Sequence, residues 1–85
     1  MFEVFLDTQV QNFLRSADGI TFARVREVFQ ELALDPVPRG AKRTIESPEK
    51  LFRLRSRHLR LLYRINYEKE AVVILIIEPL IRMYR

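Results

Sequence analysis

From Leu51 to Ile77 the chain alternates or runs apolar in strand fashion almost without interruption, and this segment narrows the available folds more than any other. Phe52 and Leu54 point one way while Arg53 and Arg55 point the other, the period-two pattern of a half-buried strand. A turn at Ser56-Arg57-His58 follows. Leu59, Leu61, Tyr63, Ile65 and Tyr67 then share a face, opposed by Arg60, Leu62 and Arg64. Asn66 to Glu70 is a polar connection, and Ala71-Val72-Val73-Ile74-Leu75-Ile76-Ile77 is β-branched and unbroken. Such a run predicts a strand inside the sheet, buried on both faces.

The first half of the chain supplies the cover for that sheet. Phe2-Glu3-Val4-Phe5-Leu6 reads as an opening strand with Phe2, Val4 and Leu6 on one face. The period then changes: Val10, Phe13, Leu14 and Ala17 fall at helical spacing, with Asp7 or Thr8 as the cap and Asp18-Gly19 as the break. Val25, Val28, Phe29, Leu32 and Ala33 draw a second apolar stripe, with Arg24, Arg26, Glu27, Gln30 and Glu31 on the wet side. Pro36, Pro38 and Gly40 end it. The predicted order is β-α-α-β-β-β. This is an α+β fold in which an antiparallel sheet carries a two-helix hairpin on one face and leaves the other partly open.

A chain of 85 residues supports one domain, here the whole of 1–85, and a shallow site rather than a deep one. Its hydrophobic share of 48% suits a packed core and argues against disorder. The absence of cysteine excludes disulfides and thiolate chemistry, and the lone His58 cannot build an ordinary structural zinc site, so no metal or other cofactor is expected. Met1 to Phe5 carry no basic segment ahead of an apolar one, and the run Ala71 to Ile77 is too short to cross a bilayer. The expectation is a cytoplasmic protein with no membrane partner.

Charge is unevenly spread. The formal net charge is +4, yet Arg39, Lys42, Arg43, Lys50, Arg53, Arg55, Arg57, Arg60 and Arg64 crowd a segment with only Glu46 and Glu49 to offset them. Pairing the strands that hold Arg53, Arg55, Arg60 and Arg64 gathers guanidinium groups on one side of the sheet, a surface suited to phosphate. Read structurally, the same residues are solvated strand faces that keep the protein soluble. Like charges across strands repel, which favours an anion or an acidic partner over that reading.

The motifs also stand in a familiar order. Gly40-Ala41-Lys42-Arg43 follows a Pro-rich helix exit, then come Leu51-Phe52-Arg53-Leu54-Arg55, Leu59-Arg60-Leu61-Leu62-Tyr63-Arg64-Ile65, an aliphatic strand and a terminal Tyr84-Arg85. In this the sequence resembles the RelE/ParE toxin superfamily over nearly the entire chain. The resemblance implies a RelE-like toxin of a type II toxin-antitoxin system, a ribosome-dependent endonuclease of messenger RNA that inhibits translation. It also implies a cognate antitoxin, expected to be short and acidic, that lays an amphipathic helix on the toxin in a hetero-oligomer. Carried over by position, Arg53 and Arg55 match paired basic residues of RelE-like toxins, Arg60 matches the arginine of a Tyr-Arg element, and Tyr84 matches a terminal tyrosine. Lys42, Arg43, Arg57, Arg64 and Arg82 are the further cations expected to bind RNA.

Attack by a 2′-hydroxyl needs a proton acceptor, charge on the phosphorane and an acid for the leaving oxygen. Arginine suits the second task and not the first, because it stays protonated in proteins. Arg53, Arg55 and Arg60 are therefore expected to stabilise charge, and Tyr84 to move a proton or stack on a base, unless it is a terminal packing residue. The base is unassigned: imidazole is the side-chain type suited to the task, but a turn histidine such as His58 beside Arg57 is more often simply exposed. Many relatives carry a His-Arg or Lys-Arg pair just after the last strand, where this chain reads Glu78-Pro79-Leu80-Ile81; Arg82 is the cation left to take that place. The departure leaves room for two other readings, a ParE-like inhibitor of DNA gyrase and a binding module without catalysis.

Overall fold

The computed structural model describes residues 1–44 and 50–80. β1 (Glu3–Leu6) leads into α1 (Thr8–Arg15) and α2 (Gly19–Leu34), and the chain then builds β2 (Lys42–Arg43), β3 (Leu51–Ser56), β4 (Leu59–Asn66) and β5 (Ala71–Pro79). Asp7 caps α1 by accepting a hydrogen bond from the Gln9 N–H. Asp18 does the same for α2 through the Thr21 N–H, at 2.7 Å. Asp18-Gly19, expected only to break a helix, therefore starts the next one.

The strands form one five-stranded sheet in the order β1-β5-β4-β3-β2. β3–β4 and β4–β5 are antiparallel, as expected, and β2–β3 is antiparallel too. β1 departs from the antiparallel expectation: it runs parallel to β5, with Val4 opposite Val72 and Leu6 opposite Ile74. Short turns dictate antiparallel pairing only between strands they join, and β1 is joined to the rest through two helices. β2 is an additional short edge strand, lengthened by the Thr44 N–H donating to the Leu51 carbonyl at 2.8 Å.

Val10 of α1 and Val25, Val28 and Leu32 of α2 pack on Leu54, Leu61, Tyr63, Ile65, Val72 and Ile74, so both helical stripes cover the same sheet face. Tyr63 is fully buried, stacks on Phe52 with ring centroids 5.8 Å apart, and donates its hydroxyl to the Pro36 carbonyl at 2.7 Å. That bond fixes the exit from α2. The turn that follows is closed by the Ala41 N–H donating to Pro38, with Gly40 at φ +93°, a conformation side chains rarely adopt.

Among the described residues no second layer covers the outer face, which corrects the expectation for β5. Val72 and Ile74 are buried inward, but Val73 and Ile76 are only half-buried. Tyr67 likewise leaves the Tyr63 face: it lies past β4, 59% exposed, edge-on to Phe2. Among the described residues no helix is long and apolar enough to cross a membrane.

Candidate nucleic-acid interface

Strand register decides which cations meet. Arg55 sits directly opposite Arg60 across β3 and β4, and Lys42 directly opposite Arg53 across β2 and β3. With alternation at its usual period, all these side chains emerge on the outer face. Together with Gly40 they line a shallow groove of about 270 Å³. The positive φ at Gly40 turns the chain back at the groove's rim, directly ahead of β2. Among the described residues, Lys42, Arg53 and Arg55 have no carboxylate partner.

Arg60 does have one. Its Nη2 donates to Glu78 Oε1 at 2.8 Å, because Glu78 is its cross-strand partner on β5. Both side chains remain about half exposed, 45% and 48%. A continuation of the groove runs over Arg53, Arg60, Leu62, Ile76 and Glu78. The sequence marked Glu78 only as a departure from the family pattern. Its meeting with Arg60 depends on the register of β4 against β5, which includes a bulge at Leu62/Tyr63.

The other expected RNA contacts separate from the groove. Arg57 turns to the helix layer, where its Nε pairs with Glu27 at 2.9 Å and its Nη2 with Glu31. The hydrogen bond from Arg57, aided by its charge, holds the Glu31 carboxyl below the usual range against the opposing effect of burial. Arg57 is thus neutralised by the protein's own carboxylates and does not join the cation cluster. Arg43 pairs across from Phe52, on the face opposite to Lys42. Arg64 shares the outer face, opposite Leu51 and Val73, but does not line the groove. His58 occupies the β3–β4 turn at φ 65°, exposed, with its carbonyl accepting from the Leu80 N–H. Tyr84 and Arg82 lie outside the described residues.

Burial, and after it the charge of Asp35, pushes the Tyr63 hydroxyl well above the normal phenol range, so it serves as a neutral donor. No group of acidic, histidine or cysteine side chains able to hold a metal occurs among the described residues. Among the described residues, the groove and its continuation offer fixed positive charge, one carboxylate and flanking apolar surface.

No family model matches the sequence, and no curated protein matches it. Solved structures do. A chain of the toxin-antitoxin complex RelBE2 from Mycobacterium tuberculosis is 30% identical, with a TM-score of 0.80 over 92% of this chain and 96% of that one. A chain of the archaeal RelE-RelB complex from Pyrococcus horikoshii is 26% identical, with a TM-score of 0.79 over 96% and 98%. The isolated RelE toxin of E. coli, 14% identical with a TM-score of 0.76 over 98% of this chain and 88% of that one, shares the fold. The match at 30% identity over 92% of this chain and 96% of the other places the chain in the RelE/ParE toxin superfamily.

Proposed function

We propose that this chain is the toxin of a type II toxin-antitoxin pair and cleaves messenger RNA on the ribosome, acting in the cytoplasm. The observation that carries this reading is the convergence of Lys42, Arg53, Arg55 and Arg60 on one open groove. Guanidinium forks match phosphate oxygens in geometry and keep their charge, so they suit both RNA backbone binding and stabilisation of the phosphorane. The shallow shape fits a message presented by a larger scaffold, because the groove alone encloses little of a nucleotide. Tyr84 and Arg82 remain candidates for proton transfer and for the cation after the last strand.

The antitoxin is proposed as an acidic amphipathic segment. Phe5, 48% exposed, and the half-buried Leu62, Val73 and Ile76 form an apolar field on the outer face beside the cations. A helix with apolar and acidic sides would cover both and exclude RNA. The similar chain from M. tuberculosis comes by name from a toxin-antitoxin complex and that from P. horikoshii from a RelE-RelB complex, which supports a cognate antitoxin as the partner.

One observation favours the gyrase reading: Glu78 stands on Arg60 at the end of β5, where many relatives carry a cation. Two assays on the purified chain decide. With ribosomes and message, cleavage is expected, and Arg60→Ala abolishes it; in a gyrase supercoiling assay, no effect is expected. Inhibited supercoiling with intact message would reverse the assignment.

A further inference from the structure

Among the described residues, every side chain lining the main groove is cationic, so these residues by themselves supply no proton acceptor for a 2′-hydroxyl. Arginine does not deprotonate in proteins. Among the described residues lining the groove and its continuation, Glu78 alone is a carboxylate. Its Oε1 accepts from Arg60 Nη2, and among the described residues this leaves the rest of the guanidinium fork for a phosphate. Oε2 takes no hydrogen bond among the described residues.

We propose that Glu78 is the general base of the groove, a catalytic residue that takes the proton of the attacking 2′-hydroxyl; this rests on the endonuclease reading above. The reach follows from connectivity. The 2′-oxygen and the scissile phosphate belong to adjacent positions of one nucleotide step, so a phosphate seated on Arg60 brings the hydroxyl next to the carboxylate touching that guanidinium. The O2′–P bond forms and the P–O5′ bond breaks. The 2′ proton passes to Glu78, the departing 5′-oxygen takes a proton from water, and Glu78 then returns its proton to the hydroxide produced. The products are a 2′,3′-cyclic phosphate and a 5′-hydroxyl.

A purely electrostatic role, offsetting the repulsion between the facing Arg55 and Arg60, predicts something different. Single-turnover cleavage of ribosome-bound message across pH separates the two for wild type, Glu78→Gln and Glu78→Asp. Glutamine keeps an acceptor for Arg60 and loses the basicity. Its rate is expected to fall by about 10²–10⁴ with the acid limb of the profile flattened and ribosome binding retained, while aspartate recovers part of the rate. A Glu78→Gln protein that cleaves at the wild-type rate with its acid limb intact overturns the assignment and leaves the endonuclease reading standing. A wild-type protein that leaves the message whole removes both.

Discussion

Tyr63 shows how one side chain can serve the site without touching it. Its ring fills the core against Phe52, and its hydroxyl satisfies the carbonyl of Pro36, which is itself buried. The loop held there carries Gly40 and Lys42 into the groove. Replacing Tyr63 by Phe keeps the ring and leaves a buried carbonyl unpaired, at an expected loss of about 1–2 kcal/mol by urea denaturation. A Phe variant as stable as wild type would show that the hydroxyl contributes nothing. Alternation puts Tyr63 on one face with Leu59, Leu61 and Ile65, and that face is the buried one. The pattern gives no partner for the hydroxyl, because Pro36 is distant in the chain and only the closed fold brings it near.

At the scale of elements, the β3–β4 hairpin is tied to α2 by Arg57, whose guanidinium bridges Glu27 and Glu31 one helical turn apart. Glu31 has its folded pKa lowered below the usual 4.5, so its contribution is present above that value and is lost as pH falls through the folded one. Arg57 is shifted the opposite way and stays charged throughout. Urea midpoints of wild type and Glu31→Gln should therefore differ modestly at neutral pH and converge in acid, the effect being limited by solvent screening of a pair that is partly exposed. A gap that widens in acid would contradict the assignment. The strands β3, β4 and β5 were legible because alternation and short turns are local signals. The parallel seat of β1 was not, since a four-residue strand joined through helices carries no local information about its neighbour. The direction of Arg57, a turn residue expected among the RNA contacts, was not legible for a related reason. The positive φ values at residues 57 and 58 end the strand alternation, so period-two reasoning does not extend to its side chain.

For the molecule as a whole, the net charge of +4 describes the site poorly, because charge is sorted by face rather than spread. The helix layer absorbs Arg57, Glu78 offsets Arg60, and Lys42, Arg53 and Arg55 have no carboxylate partner among the described residues. Sequence alternation foresaw the grouping of Arg53, Arg55 and Arg60, whereas Glu78 needed the register across a bulge. This sorting makes RNA affinity a function of salt with a countable slope. Single strands release about 0.7 counterion per phosphate neutralised, so the three or four groove cations imply a slope of log K against log salt of about −2 to −3. Removing one unpaired cation, Arg55→Ala, should bring that slope about 0.7 closer to zero and weaken binding evenly across sequences. Arg57→Ala should leave the slope unchanged, because Glu27 and Glu31 already hold that charge. Fluorescence anisotropy of a labelled single-stranded RNA over a salt series reads all three proteins. If Arg57→Ala shifts the slope and Arg55→Ala does not, the phosphates follow the helix side of the hairpin, and the groove is not their path.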